Sequence, residues 1–130
     1  MLYMFFANGF EEVEAIAALD VIRRAGIEIM SVGVGAEVIT GSHNISVICD
    51  TTTDKIEFDN NTSGIILPGG MPGTTNLMNC KAVDRFIDLC HEKKKLICAI
   101  CAAPMILGRK GLLEGVEALF PKNMFAIQTE

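Results

Sequence analysis

The sequence predicts an α/β fold: a doubly wound, mostly parallel sheet with an antiparallel hairpin added. Three observations carry this. Residues 2–7, 27–34, 64–67 and 96–100 are short apolar runs without the alternation of a half-solvated strand, so both of their faces are buried. Segments with helical signals lie between them, the order that places helices on both faces of a parallel sheet. Glycines or small residues follow several runs, and such sheets carry their chemistry at the carboxyl ends of the strands.

The elements follow in order. Residues 2–7 form the first strand, ended by Asn8-Gly9. Residues 11–25 form a helix, with acids in its first turn, Arg23 and Arg24 in its last, and Gly26 as its stop. Residues 27–34 are the second strand, with Gly33 and Gly35 at its exit. Val38-Ile39-Thr40 and residues 45–49 flank Gly41-Ser42-His43-Asn44, the pattern of a hairpin. Residues 51–63 are mostly polar and read as loop. Residues 64–67 form a buried strand running into Pro68-Gly69-Gly70-Met71-Pro72-Gly73, with a short helix near residues 74–78. Residues 82–94 are an amphipathic helix with Val83, Phe86, Ile87 and Cys90 on one face. A strand at 96–100 and a helix at 102–109, stopped by Gly111, come next, and a last strand is expected at 116–120.

The 130 residues are expected to form a single domain, at 50% apolar and 21% charged. Eleven basic against 16 acidic residues give a formal charge of −5. Lys93-Lys94-Lys95 is the one basic run and reads as a solvated helix end, so the chain offers no patch for nucleic acid. No stretch approaches the ~20 apolar residues of a membrane span, and the apolar start lacks a basic leader. Cys49, Cys80, Cys90, Cys98 and Cys101 are odd in number and irregular in spacing, which argues against a disulfide framework and for a reducing, cytoplasmic compartment. Two histidines, His43 and His91, lack paired ligand spacing, so no zinc site is expected.

Cys101 stands between a buried strand and a helix, followed by Ala102, Ala103 and Pro104. Small neighbours and a first-turn proline suit a sharp strand-to-helix turn, a nucleophile elbow. Unpaired amides and the helix dipole there are expected to favour the thiolate. Cys98 completes a C-x-x-C but lies inside the strand and reads as core. Glu14 departs from the polar face expected of Glu12, Asp20, Arg23 and Arg24, and shares a stripe with Ala18, Val21 and Ala25. Desolvation on that stripe is expected to keep Glu14 protonated, able to donate a hydrogen bond to a nearby thiolate. The glycine cluster after residue 67 follows neither dinucleotide nor P-loop spacing. An oxyanion hole built from the N–H groups of Gly70 and Ala102 is the preferred reading.

At these residues the chain resembles the ThiJ/PfpI family, the group of the Parkinson's-disease deglycase. The matching segments are Glu11-Glu12-Val13-Glu14, Asp20-Val21-Ile22-Arg23-Arg24-Ala25-Gly26, Leu67-Pro68-Gly69-Gly70 with Asn76-Leu77, and Ala99-Ile100-Cys101-Ala102-Ala103-Pro104. The resemblance implies a flavodoxin-like sandwich, a reactive Cys101, a protonated Glu14 and a backbone oxyanion site at Gly70 and Ala102. It also implies a homodimer with Cys49 near the contact. Two features depart from the pattern. The intracellular-protease branch has a histidine after its nucleophile, where this chain has Ala102, so a Cys–His protease is disfavoured. Members usually continue with further strands and a last helix that are expected to be missing here.

The resemblance implies a cofactor-free enzyme of the glyoxalase or deglycase type, a hydrolase or lyase acting on methylglyoxal, glyoxal or their early adducts and releasing a hydroxy acid such as lactate. The alternative is a non-enzymatic stress-response or chaperone-like protein whose Cys101 senses oxidants. A thiazole-biosynthesis role lacks a phosphate-binding cluster to support it.

Overall fold

The computed structural model describes residues 1–115. The strand expected at residues 116–120 lies outside the described residues. Five parallel strands form the main sheet: β1 (Leu2–Phe6), β2 (Ile29–Gly33), β5 (Thr51–Thr52), β6 (Gly64–Leu67) and β7 (Leu96–Ala99), in the order β5-β2-β1-β6-β7. β1 is central, with Met4 opposite Ser31 on one side and Ile66 on the other. The chain therefore winds outward in both directions from β1, the doubly wound arrangement expected of buried parallel strands. β3 (Val38–Thr40) and β4 (Ser46–Ile48) form the expected antiparallel hairpin as a separate two-stranded sheet. It is docked through Asn8, whose Oδ1 accepts the Thr40 N–H at 2.9 Å while Gly9 N–H donates to Thr40 O at 2.8 Å.

Residue alternation along β1 feeds both faces. Tyr3 and Phe5 enter one core with Leu77, Val83, Phe86 and Ile87 from α2 (Gly73–Met78) and α3 (Lys81–Glu92), and with Ile106 from α4 (Pro104–Arg109). Leu2, Met4 and Phe6 enter the other, with Phe10, Ala15, Ile39 and Cys49. In the first core Phe86 meets Tyr3, Phe5 and Phe58 edge-on at centroid distances of 5.6, 5.4 and 5.9 Å, the arrangement aromatic quadrupoles favour.

Helix α1 (Glu12–Arg24) covers the second core, and here two expectations are corrected. Its inward stripe is Glu12, Ala15, Leu19 and Ile22, with Ala18 beside it. Val21, expected on a buried stripe with Glu14, is 63% exposed, and Ala25 is exposed too. Glu14 sits on the flank, half-buried because the helix start overlies the strand ends rather than because its stripe is core. Glu12, expected on the polar face, is 4% exposed. The hairpin explains this: its turn folds over the helix start and replaces water around that carboxylate.

The segment at residues 51–63 also departs from its reading as loop. Thr51–Thr52 is an edge strand on β2, with Val32 opposite Thr51, and a 3-10 turn follows at Thr53–Lys55. Two residues carry too little pattern to mark a strand; the partner strand supplies it. The last helix begins at Pro104, not at residue 102, because the chain first turns through Cys101–Ala103. Among the described residues no helix is long and apolar enough to cross a membrane.

Candidate functional site

Three strand ends converge: Asn8-Gly9 after β1, Gly69-Gly70 after β6 and Cys101 after β7. Backbone bonds tie them together. Glu11 N–H donates to Gly69 O at 3.0 Å, Gly73 N–H to Gly9 O at 3.1 Å and Thr74 N–H to Gly70 O at 2.9 Å. Only glycine serves at position 70. Its φ is +97°, and a Cβ there would stand 2.4 Å from the Glu11 nitrogen.

Cys101 has φ +54° although it is not glycine. That left-handed conformation costs about 1–2 kcal/mol and persists where surrounding bonds fix the backbone. Here Ile100 N–H donates to Leu67 O at 3.2 Å, and Ala103 N–H closes the turn on Ile100 O at 3.0 Å. The turn lifts Cys101 to the surface while Ala102 and Ala103 are packed beneath it, at 5% and 0% exposure. A larger side chain at either alanine has no room. This is the strand–turn–helix setting that the residues Cys-Ala-Ala-Pro predict.

Glu14 reaches the same point from α1. Its Oε2 accepts the Gly69 N–H at 3.1 Å, and its carboxylate is near enough to raise the Cys101 thiol. Gly69 is the spacer between them: a Cβ there would meet Glu14 Oε2 at 2.6 Å and Cys101 Cβ at 2.8 Å. The sequence singled out the glycine cluster but not this role. Gly70 follows the spacer Gly69 and Ala102 follows Cys101 in the chain, and neither N–H donates to a backbone carbonyl among the described residues.

The electrostatics reverse one expectation. The Cys101 thiol is held above its ordinary range, first by its hydrogen bond to the Glu14 carboxylate, then by desolvation and the charges of Glu14 and Glu11. The Ala102 amide pulls the other way. The helix contribution is small because α4 has six residues and begins three positions after Cys101. The sign of the largest contribution depends on a proton. An ionised Glu14 repels the thiolate, whereas a protonated Glu14 donates to it. Burial pushes the Cys49 and Cys90 thiols up to about 11 and also raises Cys98. Cys49, placed near a dimer contact by resemblance, is buried within the second core.

The residue that sequence reasoning missed is Glu12. Its Oε2 accepts the N–H groups of His43 at 2.8 Å and Ile45 at 3.2 Å, and its Oε1 accepts His43 Nδ1–H at 3.0 Å. Burial pushes its carboxyl up, but these bonds dominate and hold it at about 2. The available signal was Gly41, where a Cβ would fall 2.3 Å from the Glu12 carboxyl carbon. Glu11, Glu12 and His43 bring possible ligand atoms within 4.8 Å of one another. Their oxygens already serve the hairpin and the Val13 N–H, so the group reads as a clamp on the hairpin.

Residues 1–118 match the DJ-1/PfpI family. Protein DJ-1 homolog A of Arabidopsis thaliana is 38% identical over 114 residues, covering 86% of this chain and 29% of the relative. Deglycase PfpI of Pyrococcus furiosus is 36% identical over 112 residues, covering 84% of this chain and 64% of the relative. The structure of oxidised DJ-1 from Toxoplasma gondii superposes with a TM-score of 0.90 at 30% identity, covering 97% of this chain and 69% of that one. The chain thus spans less than two thirds of these two curated relatives. With a family match over nearly all of its length and the same α/β sandwich, this chain belongs to the DJ-1/PfpI family.

Proposed function

We propose that this protein is a cysteine-dependent enzyme of the glyoxalase/deglycase type, acting on methylglyoxal, glyoxal or their early adducts without a cofactor. The observation that carries the reading is an exposed Cys101 at φ +54°, with the Glu14 carboxyl facing it across Gly69. The deglycase name of the Pyrococcus relative supports the substrate class.

In this reaction the Cys101 sulfur bonds to the aldehyde carbon of methylglyoxal, and the carbonyl electron pair moves to oxygen. The Gly70 and Ala102 N–H groups receive that oxyanion, and protonated Glu14 delivers the proton that gives a hemithioacetal. Glu14, now a carboxylate, takes the proton from the former aldehyde carbon. It returns that proton to the neighbouring carbon of the enediolate while the hydroxyl proton passes to the neighbouring oxygen, leaving a lactyl thioester. Water cleaves the C–S bond to release lactate and restore the thiol. The net change is addition of one water to methylglyoxal, so no oxidant or reductant is consumed. Glu14 thus serves first as acid and then as base in this scheme.

The test is lactate production from methylglyoxal by purified protein and by Cys101→Ser. Turnover that disappears in the variant supports the reading; equal rates in both overturn it. A second reading, an oxidant-sensing thiol, is favoured by the exposure of Cys101 and by the oxidised form of the Toxoplasma relative. Sulfinate at Cys101 after mild peroxide, in a protein that turns over no dicarbonyl, would select it. We also propose a homodimer through the outer face of α1 and the hairpin. Val13, Ile45 and Ile48 are 72%, 52% and 80% exposed there. The acidic first turn and basic last turn of α1 complement each other in an antiparallel two-fold pairing. Sedimentation tests it.

A further inference from the structure

A cleft lies at the carboxyl ends of β1, β2 and β5, and its lining does not include Cys101 or Glu14. Its walls are Ala7 and Asn8 after β1, Val34 and Gly35 after β2, and Thr53 after β5. Asn76, Asn79 and Cys80 from α2 and the α2–α3 corner close it. The volume is ≈ 420 Å³, within the usual range of small-molecule clefts, about 300–1,000 Å³. The position beyond the carboxyl ends of parallel strands is where doubly wound folds bind ligands.

The hydrogen-bonding inventory defines what fits. Asn8 spends its Oδ1 on the Thr40 N–H at 2.9 Å, which leaves its Nδ2 as a donor. Asn76 spends its Nδ2 on Asn8 O at 2.7 Å, which leaves its Oδ1 as an acceptor and fixes both amide orientations. The Asn79 carboxamide and the Thr53 hydroxyl make no hydrogen bond among the described residues, so each offers both a donor and an acceptor. No lining side chain is charged. An anion would find no cation here, and a purely apolar ligand would leave the carboxamides and the Thr53 hydroxyl unused. A molecule whose every polar group both donates and accepts satisfies all of them, and vicinal hydroxyls match a carboxamide's paired donor and acceptor. We propose that this cleft is a binding site for a small, neutral, hydroxyl-rich ligand, a sugar or a polyol, bordered by the Cys80 thiol. It is independent of the chemistry proposed at Cys101.

The test uses methyl α-glucoside, which has no free aldehyde and so cannot react at a thiol. In ¹⁵N-labelled protein, its titration should shift the side-chain amide signals of Asn8, Asn76 and Asn79 saturably and slow alkylation of Cys80. Asn79→Ala, at an exposed helix end, should weaken the response about fivefold, the size of one net hydrogen bond. Thr53→Val gives a second reading should Asn79→Ala lose its dispersed spectrum. Cys101→Ser should leave the titration unchanged, which separates this site from the dicarbonyl reading. Shifts that never saturate, or equal shifts with inorganic phosphate, would overturn the proposal and leave a hydrated cleft.

Discussion

Replacing Gly69 by alanine inserts one methyl group between the two side chains on which the proposed chemistry rests. An ideal Cβ at this position stands 2.6 Å from Glu14 Oε2, 2.8 Å from Cys101 Cβ and 2.9 Å from Ile100 O. An ordinary carbon contact is about 3.5 Å, so each neighbour must retreat by somewhat under ~1 Å. Ile100 O is backbone within the turn that holds Cys101, and Cys101 Cβ is fixed by its φ of +54°. Glu14 is the end of a longer side chain and moves first. Overpacking of this kind costs about 1–3 kcal/mol of stability. A misplacement near 1 Å between reacting groups costs about 100-fold in rate. Gly69→Ala should therefore lower the urea-unfolding free energy by that amount and reduce methylglyoxal turnover by about two orders of magnitude. As the carboxylate withdraws, the Cys101 thiol should fall from its raised position toward its ordinary value, read as thiolate absorbance against pH. Unchanged stability together with an unchanged Cys101 titration would refute the spacer argument.

The remaining predictions concern charge and packing. Glu14→Leu removes the carboxylate that raises the Cys101 thiol, so the thiol should titrate lower than in the parent by thiolate absorbance against pH; an unchanged titration would show that Glu14 does not act on Cys101. Limiting iodoacetamide followed by peptide mapping should modify exposed Cys101 before buried Cys49 and Cys90, whose thiols burial pushes to about 11. Glu12 is lowered in the fold from an ordinary 4.5 to about 2, so its contribution to stability is present above pH 4.5 and is lost as pH falls through that window; Glu12→Gln should flatten the acid limb of a stability–pH curve between those values. Phe86→Ala empties the meeting point of three aromatic rings and should cost about 3–5 kcal/mol by urea unfolding.

The sequence determined the elements whose signals are local. Strands β1, β6 and β7 are apolar runs bounded by glycine or small residues, and α3 shows its buried face as Val83, Phe86, Ile87 and Cys90. The turn at Cys101 was legible for the same reason: an apolar strand, two alanines and a proline allow few other paths, although β7 is half-exposed rather than buried as the sequence predicts. Only the tertiary structure decided what depends on a distant partner. Thr51–Thr52 is a strand because β2 lies beside it, and Glu12 is buried because a hairpin some 30 residues later folds over it. Periodicity assigns a residue to a face of its own helix and carries no information about what will cover that face. Gly69 separates Glu14 from Cys101 across 55 and 32 positions of chain, and the direction of the Cys101 titration follows from that spacing. Residue types made a cysteine at a strand end and a carboxyl at a helix start legible. Their sign of interaction is set by Coulomb forces and hydrogen bonds over a few ångströms, and those distances exist only once the strand ends converge.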